Sequence, residues 1–189
     1  MSLLTLSDTL NSTYLNKKEG ANLLDKSGYE FDKELSNIQS RVYHNPIDNK
    51  VLVTYRGTTN LLNEIPSDLA ILTGTLKNTN RYKESKKVYE NAKKKYNTNS
   101  VIVSGHSLGG SLANAVGGKN DKIYTYNKGV GIFNPNTKSN EKGYRTVTDL
   151  ISLLSAGDKH QNSFGSFLDI NPLHAHTIDR LNETKRIYL

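Results

Sequence analysis

Cysteine is absent from this 189-residue chain. Disulfides and a thiolate nucleophile are therefore excluded, and the absence fits an intracellular protein. Long apolar runs are missing too: nothing approaches the ~18 consecutive apolar residues that a membrane-spanning helix needs. Met1-Ser2-Leu3-Leu4-Thr5-Leu6 has neither a basic n-region nor a long apolar h-region, so no signal peptide is expected. No internal repeat, low-complexity stretch or evident linker interrupts the chain. Residues 1–189 are read as one domain, long enough for a core but with little room for a large cap.

What the chain does carry is positive charge, a formal +7 at pH 7. Much of it lies between Arg81 and Lys95, in Lys83, Lys86, Lys87, Lys93, Lys94 and Lys95. Tyr82, Ser85, Val88, Tyr89, Ala92 and Tyr96 recur there at spacings of three and four, which predicts an amphipathic helix with this stripe inward. Its lysines have two readings: a solvated face, or a peripheral contact with an anionic membrane surface through residues 81–95. No nucleic-acid-binding motif accompanies the charge, so nucleic acid is not an expected partner.

Around this helix the pattern alternates between strands and helices. Leu3 to Leu24 reads as one helix that breaks at Gly28. Arg41–His44 and Val51–Tyr55 read as strands, joined into a hairpin by the turn chemistry of Asn45-Pro46-Ile47-Asp48-Asn49-Lys50. Val101–Ser104 and Lys122–Tyr126 are further strands, with the small-residue helix Ser111–Val116 between them. A Gly- and Asn-rich loop is expected up to Gly143, then a strand over Asp149–Leu154 and a last helix over Ile178–Ile187. This order predicts a mostly parallel sheet with helices on both faces.

Between the Val101 strand and the Ser111 helix lies Gly105-His106-Ser107-Leu108-Gly109-Gly110, a Gly-x-Ser-x-Gly pattern in strand–turn–helix context. Such a nucleophile elbow exposes a serine Oγ on a strained turn above a helix N-terminus, with glycines where a side chain would strike neighbouring backbone. A serine nucleophile needs a base, a carboxylate that orients the base, and donors aimed at the oxyanion. Asp158 closes the late strand at its correct end and is favoured as the carboxylate over Asp149, which precedes that strand, and Asp169. The base must follow in the chain, which removes His44; His160 is too near Asp158, and His106 within the elbow reads as structural. His174 and His176 remain, with His176 favoured beside the start of the last helix. For the oxyanion, Thr58 in Tyr55-Arg56-Gly57-Thr58 and the N–H of Leu108 are the candidate donors.

Tyr-Arg-Gly-Thr at the end of a strand, Asp68-Leu69 some ten residues on, and the later Gly-His-Ser-Leu-Gly-Gly resemble the class 3 (fungal-type) lipase family. Gly28–Ser36, Gly157-Asp158 and His176-Thr177-Ile178-Asp179 extend the likeness to small virus- and microbe-type intracellular members, over roughly residues 28–180. The resemblance implies an α/β-hydrolase fold in a minimal single domain. It implies Ser107 as nucleophile, Asp158 as acid, His176 as base, and Thr58 with Leu108 as oxyanion hole. Asp68 would support the oxyanion loop, and residues 61–76 would occupy the place of a lid. The implied activity is hydrolysis of an acyl ester of a lipid through an acyl-enzyme, with no cofactor and no metal. The chain departs from secreted members in its length and its lack of cysteine. The alternative is a hydrolase fold without catalysis, used for binding or membrane association.

Overall fold

Along each central strand, successive side chains point to opposite faces of the sheet, and here both faces are apolar. Val42, Val51, Val53, Val101, Val103 and Ile123 fall into one buried cluster, while Tyr43, Leu52, Ile102, Tyr124 and Tyr126 fall into the other. Such strands must be covered on both sides. The structure is a computed structural model, and it describes residues 2–58, 76–129, 137–146, 161–164, 177–184 and 186–189.

Among these residues, the chain order is α1 (Leu6–Asn11), α2 (Lys17–Asp25), β1 (Glu30–Phe31), β2 (Ser40–Asn45), β3 (Lys50–Tyr55), α3 (Asn80–Lys95) and β4 (Ile102–His106). Then come α4 (Leu108–Val116), β5 (Lys122–Tyr126), β6 (Glu141–Thr146), β7 (Gln161–Phe164) and α5 (Ile178–Thr184). The seven described strands form one sheet in the order β1-β2-β3-β4-β5-β6-β7. β1, β2 and β3 pair antiparallel, and every step from β3 to β7 is parallel. Helices α3 and α4 cover one face; α1, α2 and α5 supply the core on the other. Among the described residues no helix is long and apolar enough to cross a membrane.

The hairpin forms as the sequence predicts, in register Asn45↔Lys50, with Asn49 at φ 54° in its turn. Helix α3 likewise buries Ser85, Val88, Tyr89 and Ala92. Its Thr79 cap accepts from the Tyr82 N–H at 3.1 Å.

Three expectations need correction. Leu3–Leu24 is not one helix but two, because Ser12 and Thr13 turn their hydroxyls back onto Thr9 and Leu10 carbonyls at 2.7 and 2.8 Å. Asn16 then caps a new helix through the Glu19 N–H at 2.9 Å. The loop predicted up to Gly143 ends earlier, because Glu141–Thr146 is a strand whose inward position holds a paired glutamate instead of an apolar residue. The last helix ends at Thr184, short of Ile187, whose carbonyl accepts the Leu6 N–H at 2.8 Å instead. The strand expected over Asp149–Leu154 lies outside the described residues.

Candidate active site

β4 runs through His106 directly into Ser107, which adopts φ 56° and ψ −125°, and α4 begins at the next residue. A non-glycine residue in such a conformation stores roughly 1–3 kcal/mol of strain, so its surroundings must hold it there. The Ser107 N–H donates to the Tyr126 carbonyl at 3.1 Å, at the end of the neighbouring strand β5. Its own carbonyl accepts from the N–H groups of Gly110, Ser111 and Gly129 at 2.9, 3.2 and 3.2 Å. A side chain on Gly105 would overlap the Gly109 carbonyl, and one on Gly109 would strike the Tyr55 carbonyl and sit 2.9 Å from the Arg56 carbonyl carbon. The ends of β3 and β4 and the head of α4 are therefore packed backbone against backbone, as the elbow requires.

The Ser107 side chain is fully buried, where the sequence predicts an exposed Oγ, and that Oγ finds no hydrogen-bond partner among the described residues. Buried hydroxyls are ordinarily paired, but those of Thr54 and Ser104 are also unpaired among the described residues, so it is the backbone strain at Ser107 that sets this hydroxyl apart. The positive end of the α4 dipole lies beneath it. The Leu108 N–H, first in that helix, has no protein acceptor among the described residues, and neither has the Thr58 N–H. Thr58 follows Gly57, where an added Cβ would come within 3.1 Å of the Ser107 Cβ, so the loop leaving β3 touches the elbow.

That loop is held by residues far from it in the chain as well as near it. The Arg56 N–H donates to the Gln39 carbonyl at 2.9 Å, and the Arg56 carbonyl accepts from Arg81 Nη2 at 2.5 Å. The Gly57 N–H donates to the Tyr14 hydroxyl at 2.9 Å. The same hydroxyl stands 2.9 Å from His106 Nδ1, and the Arg56 guanidinium lies 5.1 Å above the Tyr14 ring. Burial pushes the Tyr14 phenol up to about 12 and holds the Arg81 guanidinium below its ordinary value. The one local sign of Tyr14 was its place just after Asn11-Ser12-Thr13, the polar cluster that divides α1 from α2.

His106 is buried, edge-on to Tyr14 at 5.9 Å and stacked with Tyr126 at 5.6 Å, in keeping with a structural role. His44 sits in the hairpin, stacked on Tyr96 at 4.1 Å with Nε2 2.8 Å from Asn49 Oδ1. Asp158, His174, His176, His160, Asp149, Asp169 and Asp68 lie outside the described residues, as do residues 61–75 of the candidate lid. The neighbour of His176 is placed, however: the Thr177 carbonyl accepts from Tyr126 Oη at 3.2 Å. The chain after His176 is thus tied to the residue whose carbonyl receives the Ser107 N–H.

One ionic cluster stands beside this arrangement, and others lie at the opposite end of the strands. Lys128 and Glu141 form a buried pair at 2.9 Å behind the elbow. Glu141 also accepts from Thr125 Oγ1 at 2.7 Å, Asn114 Nδ2 at 2.5 Å and the Lys138 N–H at 3.1 Å, which joins α4, β5 and β6. On α3, Lys95 pairs with Asp32 and Glu34 at 2.8 Å each and Lys93 with Asp121 at 3.6 Å, so part of the basic stripe is neutralised internally.

Comparison with known proteins adds independent findings. A family model described as lipase (class 3) matches residues 23–117, which include Tyr55–Thr58 and the whole elbow. No curated protein matches the chain. Among solved structures, the crystal structure of a fungal lipase is 13% identical with a TM-score of 0.52, covering 96% of this chain and 83% of its own. A mutant form of MDLA from Penicillium cyclopium is 12% identical, with a TM-score of 0.49 and coverage of 97% and 82%. The Rhizomucor miehei lipase propeptide complex is 18% identical, with a TM-score of 0.47 and coverage of 77% of this chain. This chain spans 60% of that lipase's length. The alignment with the fungal lipase identifies the sheet and its helices as an α/β-hydrolase fold.

Proposed function

Because the chain belongs to the class 3 lipase family, we propose that it is a serine carboxylic-ester hydrolase that cleaves acyl esters of lipids, with residues 1–189 acting as one domain. The observation that carries this reading is Ser107 itself: a buried, strained serine at a helix head, its Oγ unpaired among the described residues, against the loop that bears Thr58.

In this proposal His176 takes the Ser107 proton while Oγ attacks the ester carbonyl, and Asp158 orients the imidazole. The N–H groups of Thr58 and Leu108 receive the developing oxyanion, a contribution of about 10² to 10³ in turnover per donor. His176 then protonates the leaving alcohol, and water releases the acyl group from Ser107 by the reverse route. His176 is preferred to His174 because it stands next to the start of the last helix in the chain. Asp68 supports the oxyanion loop in this scheme, and no metal or cofactor takes part.

The substrate is a lipid or lipid-like ester, and α3 provides a route to its surface. Lys83, Lys87 and Lys94 are exposed and have no ion-pair partner among the described residues. Each lysine near an anionic leaflet contributes about 1 kcal/mol of attraction, which salt screens. Treatment with a fluorophosphonate and hydrolysis of p-nitrophenyl esters, triglyceride emulsion and anionic phospholipid vesicles test the reading together. Labelling at Ser107 with ester turnover is expected, and vesicle activity is expected to fall as salt rises. An unlabelled, inactive protein would instead be the non-catalytic hydrolase fold.

A further inference from the structure

We propose that Tyr14 is a positioning residue, one phenol that sets the distance between the oxyanion loop and the nucleophile. The inference rests on the reading of Ser107 as nucleophile and Thr58 as oxyanion donor.

Tyr14 lies in the break between α1 and α2, 43 residues before Gly57 and 92 before His106, yet its oxygen meets both. Gly57 leaves the end of β3, and His106 is the last residue of β4 before Ser107. A single oxygen thus joins the two strand exits that carry the two halves of the site. Its proton inventory suits the task. Burial keeps the phenol protonated, so it accepts from the Gly57 N–H and has its own proton to give to His106 Nδ1.

The loop itself shows what Tyr14 accomplishes. The Arg56 N–H is fixed by Gln39, the Arg56 carbonyl by Arg81, and the Gly57 N–H by Tyr14. The next donor along the chain is the Thr58 N–H, which has no protein acceptor among the described residues. A donor left open after three anchored groups is preorganised for a charge that appears only during reaction. On the other side, the His106 ring stacks on Tyr126, whose carbonyl holds the Ser107 N–H. Removing the hydroxyl leaves β3 and β4 paired as far as Tyr55↔Gly105 but frees the Gly57 N–H, beyond that pairing, from the end of β4.

Tyr14→Phe tests this, because it keeps the ring against Arg56 and His106 and deletes only the oxygen. The expected result is a fall in kcat of about 10- to 100-fold on p-nitrophenyl butyrate, the order that a sub-ångström to 1 Å misplacement produces. KM should stay within about twofold, since ground-state contacts are untouched. The rate of fluorophosphonate labelling should fall with kcat, because the phosphonyl oxygen needs the same donors. A folded Tyr14→Phe protein with wild-type kcat and labelling rate overturns the inference, and so does a change confined to KM. Where Tyr14→Phe does not fold, site-specific replacement of Tyr14 by 3-fluorotyrosine keeps the hydroxyl and weakens it as an acceptor; a smaller fall in kcat at constant KM is then expected, and no change overturns the inference. A wild-type protein that neither labels nor turns over ester removes the nucleophile reading itself, a result distinct from a failure of Tyr14 alone.

Discussion

Gly57→Ala adds one methyl group at the contact between the oxyanion loop and the elbow. The new Cβ would stand 2.7 Å from the His106 carbonyl oxygen, 2.7 Å from the Tyr14 hydroxyl and 3.1 Å from the Ser107 Cβ. Ordinary C···O contacts begin near about 3.3 Å, so the overlap is about 0.6 Å on two sides at once. The His106 carbonyl cannot yield cheaply, because His106 is paired with Tyr126 in the centre of the sheet. The loop must therefore move, taking the Thr58 N–H away from Ser107. Overpacking of this kind costs about 1–3 kcal/mol, equivalent to a fall of about 2–12 °C in Tm for a chain of this length. A displacement of about 0.6 Å is more than half of the 1 Å misplacement that costs about 10² in rate, so a loss of about 10-fold or more in kcat is expected. Gly117→Ala is the control. Its Cβ would come 2.6 Å from Ile123 Cδ1 at the far end of α4, so it should lower Tm and leave kcat unchanged. Steady-state hydrolysis of p-nitrophenyl butyrate and thermal melting of both variants provide the comparison. A Gly57→Ala protein with kcat within about twofold of wild type would refute the argument that this contact positions the reacting groups.

Two further predictions concern ionic pairs that hold the fold. Glu141→Gln leaves the buried Lys128 ammonium without its countercharge, which should cost about 3–5 kcal/mol and about 6–20 °C in Tm, whereas adding Lys128→Met to Glu141→Gln removes the unpaired charge, keeps an acceptor for Thr125, Asn114 and Lys138, and should recover most of it. A fall of less than about 2 °C in the single variant contradicts this. For Asp32, burial opposes the charge, but hydrogen bonds from Lys95, Tyr96 and the Leu35 N–H outweigh it and hold the carboxyl below its usual range. A carboxyl with a folded pKa below its unfolded value stabilises fully above about pH 4 and loses that contribution as pH falls through the folded value. The Tm difference between wild type and Asp32→Asn should therefore be largest near neutral pH and shrink in acid. A difference that stays constant down to about pH 2 would show that this carboxylate is not the source.

Where local patterns determine structure, the sequence is a good guide to it. The alternation of Val51, Leu52 and Val53, the stripe along α3 and the glycine at 105 all encode contacts with near neighbours in the chain or a fixed periodicity. β6 escaped because its inward glutamate satisfies itself with Lys128, Thr125 and Asn114, a polar solution that leaves no apolar rhythm. Arg81 opens the basic segment whose lysines read as a solvated face or a membrane contact, but its guanidinium reaches inward to the Arg56 carbonyl, 25 residues away. Tyr14 was invisible for the same reason on a larger scale: nothing near it in the chain shows that its hydroxyl meets Gly57 and His106. Ser107 was legible because the elbow that strains it is local, running from Gly105 to Gly110. Asp68, Asp158 and His176, by contrast, rest on chain order and family likeness.

The central claim is that Ser107 is a working nucleophile. Intact-mass analysis after fluorophosphonate treatment, paired with ester turnover, tests it most directly. Wild type should gain one phosphonyl group on Ser107 and lose its activity in step with labelling, and Ser107→Ala should neither label nor hydrolyse p-nitrophenyl butyrate above the background left by the oxyanion hole. Full turnover in Ser107→Ala, or wild-type activity that survives complete labelling of Ser107, would contradict the account.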